Sequence, residues 1–163
     1  WGYMIKEGAT TLWERWEKLT GAGMNSHNHH MLGSIDAWFY RDLAGLMALE
    51  PGFSRIMIKP SMPSELKYCS ASLYTIRGLT SVEWSRLDDE LMVTVTVPVN
   101  STAEVHLPKL GESTVVREGD RVLWSGGKVI EASPGVLSIK DAGGSIIIEV
   151  GSGRFVFTIK AVK

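Results

Sequence analysis

The sequence is poor in the features that mark several classes of protein. It has one cysteine, Cys69, so no disulfide can form within the chain, and cysteine use leaves the cellular compartment undecided. It has no long uncharged apolar run of the kind that spans a bilayer. Its net charge is only −1, whereas nucleic acids and anionic membranes favour strongly basic partners. We therefore expect neither a nucleic acid nor a membrane as a partner.

The first residues, Trp1-Gly2-Tyr3-Met4-Ile5, also lack an initiator methionine, a basic segment and a small-residue cleavage site. They do not resemble a signal peptide. Apolar residues begin at once, without a helix-entry signal, and we expect the chain to be a piece of a longer protein.

The spacing of apolar residues predicts helices at the start of the chain. Between Asn28 and Leu49 these residues recur every three or four positions, which predicts one long helix. Asn25 or Ser26 is expected to cap its start, and Glu50-Pro51-Gly52 to end it. The predicted buried face consists of Leu32, Ile35, Phe39, Leu43 and Leu46.

From Arg55 onward the apolar period changes to two, and short β-branched runs alternate with turn-forming residues. This pattern predicts an antiparallel β-sandwich. The glycine-rich separators, such as Gly126-Gly127, Gly143-Gly144 and Gly151-Ser152-Gly153, are interpreted as hairpin turns rather than as a phosphate-binding loop. Predicted strands lie at residues 56–58, 73–76, 79–84, 91–97, 103–107, 115–116, 122–124, 136–139, 146–150 and 155–159.

A carboxylate between two tryptophans, Trp13-Glu14-Arg15-Trp16, suits a sugar-binding site. Indole rings stack on the C–H faces of a sugar, while carboxylates, amides and imidazoles bind its hydroxyls. The spacing alone is equally compatible with two packing tryptophans and a solvent-exposed pair between Glu14 and Arg15.

Three histidines, His27, His29 and His30, follow close behind. On a helix they would not converge, and no carboxylate accompanies them at metal-ligand spacing. We expect no metal and no cofactor, and interpret the histidines as hydrogen-bonding groups that line a polar cavity.

Three stretches resemble the bacterial α-L-rhamnosidases. The first is the run from Gly8 to Trp16. The second runs from Met24 to His29 and continues as Gly33-Ser34-Ile35-Asp36-Ala37-Trp38-Phe39-Tyr40. The third, from Pro51 to Pro60, is similar to the exit from the family's catalytic domain. Two positions depart from the family pattern, since His27 and His30 stand where relatives usually carry an aromatic residue and a tyrosine. The linker from Trp16 to Met24 also looks short, so substrate preference carries over poorly.

The resemblance implies a fold that is mostly β: an antiparallel β-sandwich preceded by helices from the end of an (α/α) toroid catalytic domain. On this basis residues 1–52 form the incomplete helical piece and residues 53–163 the sandwich. The remainder of the catalytic domain is expected upstream, as a partner of this segment.

The resemblance also implies roles for particular residues. Family members are inverting glycosidases that remove terminal α-L-rhamnose, so the substrate is expected to be a rhamnose-containing glycoside or polysaccharide. Glu14 takes the position of the general base and His29 that of a rhamnose-binding residue. Trp13, Trp16 and Asn28 are the other expected substrate contacts. The general acid lies upstream of these motifs, so the chain alone is expected to be inactive.

Two other classes of function stay open at this point. One is a different glycosidase, or a sugar phosphorylase, on the same toroid. The other is a non-catalytic sandwich that binds carbohydrate or serves a structural role, for which Tyr74, Trp84 and Trp124 are the candidate stacking residues.

Overall fold

The computed structural model describes residues 1–161, which form two compact units, residues 1–39 and the residues from Tyr40 onward. The first unit consists of short helices joined by irregular segments. Helix α1 spans Gly2–Lys6 and helix α2 spans Ile35–Trp38. Two 3-10 turns lie at Gly21–Gly23 and His30–Ser34. No helix within the described residues is long and apolar enough to cross a membrane.

The prediction of one long helix over residues 28–49 is wrong. The 3-10 turn at His30–Ser34, helix α2 and a π-helical turn at Phe39–Leu43 follow one another, and the chain then enters a strand at Leu46. The expected caps are wrong as well, because the side chain of His29 accepts the first backbone N–H of the 3-10 turn, that of Met31.

Within residues 40–161, twelve strands form two sheets, which confirms the predicted sandwich. The strands are β1 Leu46–Ala48, β2 Arg55–Ile58, β3 Tyr68–Thr75, β4 Gly78–Leu87, β5 Glu90–Val97, β6 Thr102–Pro108, β7 Thr114–Glu118, β8 Arg121–Ser125, β9 Lys128–Val129, β10 Val136–Asp141, β11 Ser145–Val150 and β12 Gly153–Ala161. A 3-10 turn at Pro51–Phe53 joins β1 to β2.

One sheet has five strands in the order β1-β2-β6-β11-β10, and the other has seven in the order β3-β4-β5-β12-β7-β8-β9. All neighbouring strands are antiparallel except β2 and β6, which run parallel. The ten predicted strands are present, and β1 and β9 are additional. Gly151-Ser152-Gly153 is not the predicted hairpin turn, because it carries the chain from β11 in one sheet to β12 in the other.

The core lies between the two sheets, where alternate residues of each strand meet. On β6, for example, Ala103, Val105 and Leu107 are fully buried while the intervening residues are not. Trp84 on β4 and Phe157 on β12 are the largest fully buried side chains. Trp124 is buried too, so two of the three aromatic residues considered for glycan stacking belong to the core.

Strand pairing begins at Leu46, whereas the predicted domain boundary lies between residues 52 and 53. β1 pairs along its whole length with β2, so the sheet includes residues that the periodicity assigned to a helix. The assignment of residues 1–52 and 53–163 to two domains of the protein stays a prediction.

Gly45, directly before β1, is a position where only glycine fits. Its φ is +72°, a left-handed conformation that L-residues with a side chain rarely adopt. Its carbonyl oxygen accepts the backbone N–H of Lys59 at 2.8 Å, which brings the two backbones together. A Cβ at this position would lie 2.1 Å from the carbonyl carbon of Lys59.

We predict that Gly45→Ala lowers the free energy of unfolding by about 3 kcal/mol or more, because backbone atoms have to move apart. Gly119→Ala is the matched control. Gly119 has a φ of +56°, but no atom lies within 4 Å of the added Cβ, so the expected cost is only about 1–2 kcal/mol. Urea unfolding of both variants measures the difference, and equal costs would contradict the close approach at Gly45.

His106 on β6 is a partly buried titratable group whose pKa is shifted by its surroundings. Burial lowers the pKa of His106 below its ordinary value of 6.5, and the nearby positive charge of Lys59 lowers this pKa further. Glu104, whose carboxylate lies 3.9 Å from the His106 Nε2, acts in the opposite direction. The neutral imidazole is therefore favoured in the folded state.

A lowered folded-state pKa makes the unfolded chain bind the proton more tightly, so the free energy of unfolding falls as the pH drops below about 6.5. The slope from one such group is at most about 1.4 kcal/mol per pH unit. We predict that His106→Gln removes this slope. Urea unfolding of the parent chain and the variant is measured across this pH range. The difference between their free energies of unfolding isolates His106, because the contributions of the other titrating groups cancel. A difference that is independent of pH would contradict the prediction.

Candidate functional site

Two segments of the first unit are joined by backbone hydrogen bonds. The N–H of Glu14 donates to the carbonyl oxygen of Ser26 at 2.8 Å, and the N–H of His29 donates to that of Leu12 at 2.8 Å. The hydroxyl of Thr11 also donates to the carbonyl oxygen of His27. These contacts bring together the two motifs that the sequence separates, residues 8–16 and 24–29.

The carboxylate of Glu14 is held by the same pairing. Its Oε2 accepts the backbone N–H of Ser26 at 3.0 Å, so the two residues bond each other in both directions. The side chain is half-buried, and within residues 1–161 Oε1 has no hydrogen bond. The Nη1 of Arg15 lies 3.6 Å from the Oε1 of Glu17. Arg15 therefore pairs with Glu17, and the alternative of a solvent-exposed pair between Glu14 and Arg15 is wrong.

The two tryptophans of the motif differ in their surroundings. Trp13 is only 4% exposed, and its ring stacks on His27 with centroids 4.5 Å apart. Trp16 is 51% exposed, and its ring meets that of Trp1 in a T-shaped arrangement with centroids 5.0 Å apart. Exposed indole surface, on which a sugar ring can stack, is therefore present at Trp16, while Trp13 packs within the unit.

His29 and Asn28 lie on the second segment. The Nδ1 of His29 accepts the N–H of Met31 at 3.4 Å, so in the neutral ring the proton sits on Nε2, which can donate to a ligand. The ring of His29 stacks on that of His30 at 5.7 Å. Asn28 is exposed, and its backbone N–H donates to the hydroxyl of Ser26 at 3.3 Å.

Metal ligands do not converge in the part of the chain that the structure describes, where no group of three or more His, Cys, Asp or Glu residues could hold an ion. His27 faces Trp13, and its Nε2 is buried without a hydrogen-bond partner among these residues.

Several residues that shape the site were not identified from the sequence as belonging to it. Ser26 was considered only as a cap, yet its backbone orients Glu14. Asn25 is buried, and its side chain accepts the N–H of Leu19 at 3.2 Å and donates to the carbonyl oxygen of Glu17 at 3.5 Å. The sequence signal for Asn25 is that it is a polar residue in a motif with few apolar neighbours. Nothing in the sequence indicates which residues it bonds.

The first unit exposes a large amount of apolar surface. Trp16 and Trp38 are about half exposed, whereas Trp13 is buried. The large side chains exposed in this unit are Trp1, Tyr3, Ile5, Trp16, Met24, Met31, Trp38 and Phe39.

A cavity of about 550 Å³ in the second unit is lined mainly by apolar atoms together with charges of both signs, among them Lys59, Arg86 and Glu90. Glu90 forms an ion pair with Lys160, and Arg86 donates to the carbonyl oxygen of Met62. None of the predicted site residues lines this cavity.

Comparison with known families decides where these motifs belong. Residues 1–43 match the model of the bacterial α-L-rhamnosidase six-hairpin glycosidase domain, and residues 45–121 match that of the bacterial α-L-rhamnosidase C-terminal domain. The chain belongs to the bacterial α-L-rhamnosidase family. It corresponds to the C-terminal part of these glycoside hydrolases.

Individual relatives agree with this assignment. An α-L-rhamnosidase of Streptomyces avermitilis is 32% identical over 98% of the chain, and one of Alteromonas sp. (strain LOR) is 41% identical over 64%. The chain spans only about a seventh of the length of these curated relatives, 14% and 12%. The structure of the α-L-rhamnosidase from Dictyoglumus thermophilum is similar over 98% of the chain and 17% of its own, with 47% identity and a TM-score of 0.85.

The reciprocal bond between Glu14 and Ser26 leads to a local prediction. Glu14→Ala removes the acceptor of the Ser26 N–H, which should raise the amide hydrogen-exchange rate of Ser26 about fivefold or more, as loss of roughly 1 kcal/mol implies. Glu14→Gln keeps an oxygen that can accept this bond and should leave the rate close to that of the parent chain. NMR measures both rates, with Glu17→Ala as the control, and equal protection in Glu14→Ala would contradict the contact.

Proposed function

We propose that the protein containing this chain removes terminal α-L-rhamnose from glycosides or polysaccharides with inversion at the anomeric carbon. The observation that carries this proposal is the position of the Glu14 carboxylate, which Ser26 fixes through Oε2 while Oε1 has no hydrogen bond to residues 1–161. A carboxylate oriented in this way has an oxygen available to accept a proton from water. Support for the substrate comes from the relative of Streptomyces avermitilis, whose crystal structure is a complex with L-rhamnose.

In this proposal Glu14 is the general base. It takes one proton from a water molecule, whose oxygen attacks the anomeric carbon as the glycosidic C–O bond breaks on the opposite face. The departing oxygen receives a proton from a second carboxyl group, roughly 6.5–9.5 Å from the base in inverting enzymes. The products are β-L-rhamnose and the free alcohol. In this proposal the general acid is supplied by sequence upstream of this chain, as the resemblance to the family implies.

The sugar contacts follow from the exposure of the neighbouring groups. The Nε2–H of His29 donates to a rhamnose hydroxyl, the exposed side chain of Asn28 supplies an amide, and the exposed indole of Trp16 stacks on the ring. Trp13, which is stacked on His27, contributes to the site next to Glu14 in sequence.

Two alternatives are less well supported by the same observations. A phosphorylase needs cationic groups or backbone donors where the base stands, and Glu14 occupies this position, while Arg15 is beside Glu17 instead. A glycan-binding role for the sandwich through Tyr74, Trp84 and Trp124 loses two of its three aromatic residues to the core.

We predict that Glu14→Gln in the full-length protein lowers kcat on an aryl α-L-rhamnoside by roughly 10²–10⁴-fold while KM changes little. The amide preserves the bond to Ser26 but cannot take a proton from water. Glu17→Gln is the matched control, because Glu17 is an exposed residue three positions away whose carboxylate lies beside Arg15. Steady-state kinetics of both variants test the proposal.

The kinetic outcome separates the role of Glu14 from that of the fold. Turnover near that of the parent enzyme in Glu14→Gln would overturn the general-base assignment. Equal losses in both variants would also contradict it, since Glu17 has no proposed part in the reaction. The 163-residue chain alone is expected to show no turnover, because it supplies only one of the two carboxyl groups.

A further inference from the structure

The two sheets have four edges, and three of them are poorly suited to pairing with another strand. β1 has three residues and β9 has two, one of which is Lys128. β10 has six residues, but its pairing is irregular between Val136 and Ser138, and it ends in Lys140 and Asp141. Short length, bulges and charges are the means by which proteins prevent their edges from pairing.

The fourth edge, β3, has none of these features. It is eight residues long, it pairs with β4 without a register shift, and its sequence, Tyr-Cys-Ser-Ala-Ser-Leu-Tyr-Thr, contains no charged residue and no proline. Tyr68 is 72% exposed and Tyr74 is 83% exposed. A long, regularly paired and uncharged edge of this kind is suited to pairing with another strand.

The backbone groups at this edge alternate in direction. The carbonyl oxygen of Lys67 accepts the N–H of Arg86 next to β4, so the backbone N–H and C=O groups of odd-numbered residues point toward β4. The backbone groups of the even-numbered residues from Tyr68 to Tyr74 therefore point away from β4, toward the open edge. In agreement, the carbonyl oxygen of Ser72 accepts a long hydrogen bond, 3.5 Å, from the hydroxyl of Tyr40. A carbonyl oxygen can accept two hydrogen bonds, so the Ser72 oxygen can still accept a bond from a second strand.

The alternate residues whose backbone groups face outward read the same in both directions along this edge. The outward-pointing residues are Tyr68, Ser70, Ser72 and Tyr74, in that order. If a second β3 lies antiparallel with Ala71 on a two-fold axis, Tyr68 is opposite Tyr74 of the second copy and Ser70 is opposite Ser72. Every outward-pointing residue then faces another one, which gives about eight backbone hydrogen bonds.

Other registers are less favourable. A shift by one residue places outward-pointing residues opposite residues whose backbone groups already bond β4. A shift by two replaces the tyrosine pairs with tyrosine opposite serine, and cross-strand aromatic pairs are the more stabilising combination.

We propose that β3 is a homodimer interface, in which two copies join their seven-stranded sheets through antiparallel β3–β3 pairing centred on Ala71. The interface is isologous, as expected for a two-fold dimer, because the same strand serves both copies. The strand that pairs with this edge belongs to a second copy of the chain. The outward-facing residues of β3 have the same order when the strand is reversed, so a second β3 pairs with them better than an unrelated strand would. The proposal does not depend on the enzymatic activity.

Sedimentation velocity of the 163-residue chain in the micromolar range is expected to show a dimer. Ser72→Pro should weaken association at least tenfold, because proline lacks the outward N–H but leaves the odd-numbered bonds to β4 intact. Ser70→Lys should do the same by placing two like charges beside the axis. Ser81→Lys, on the same face of the neighbouring β4, is the matched control and should leave the dimer unchanged. Circular dichroism confirms that each variant is folded.

A cross-linking experiment tests the register. Leu73 lies opposite the native Cys69 of the second copy at a non-hydrogen-bonded position, where Cα atoms about 4.5 Å apart permit a disulfide. Leu73→Cys with diamide as oxidant should therefore give a covalent dimer. Leu79→Cys on β4, with the same 37% exposure, should not.

A parent chain that stays monomeric throughout the micromolar range would overturn the proposal. A dimer that persists in both Ser72→Pro and Ser70→Lys would overturn it too, and would place the contact elsewhere, such as on the exposed apolar side chains of the first unit.

Discussion

Two backbone hydrogen bonds, from Glu14 to Ser26 and from His29 to Leu12, hold together the part of the chain that carries the candidate site. The segments that they join have no regular secondary structure, so their backbone polar groups have to find partners in each other. This pairing fixes the Glu14 carboxylate, which bonds the Ser26 N–H, and it sets the stacking of His27 on Trp13. The proposed base is thus positioned by backbone geometry rather than by an ion pair.

The sandwich was predictable because its core depends on a simple local pattern. Alternation of apolar and polar residues at period two identified ten strands, and burial on β6 and β11 follows this alternation. The helical stripe failed for a non-local reason. Leu46 continues the three- and four-residue spacing, but Gly45 turns the chain in a left-handed conformation against Lys59, and the residues after it pair with β2. Lys59 lies outside this stretch of sequence, so the local spacing of apolar residues does not indicate its contact with Gly45.

The candidate site was predictable only in part. The motif around Glu14 could be identified from its residue types and its resemblance to a family, since two tryptophans and a carboxylate suit sugar chemistry. The contacts of Glu14 could not, because Ser26 is twelve residues away along an irregular loop and acts through its backbone, which any residue other than proline supplies. The different surroundings of Trp13 and Trp16 are likewise a consequence of tertiary packing by Tyr3 and His27.

The central claim is that Glu14 activates water rather than attacking the sugar itself. The most direct measurement is the configuration of the rhamnose first released by the full-length protein from an aryl α-L-rhamnoside, followed by ¹H NMR before mutarotation. We expect β-L-rhamnose, since a water molecule activated on the face opposite the leaving group inverts the anomeric carbon. Initial release of α-L-rhamnose would contradict it, because retention requires a covalent or otherwise double-displacement route in which a general base alone is not sufficient.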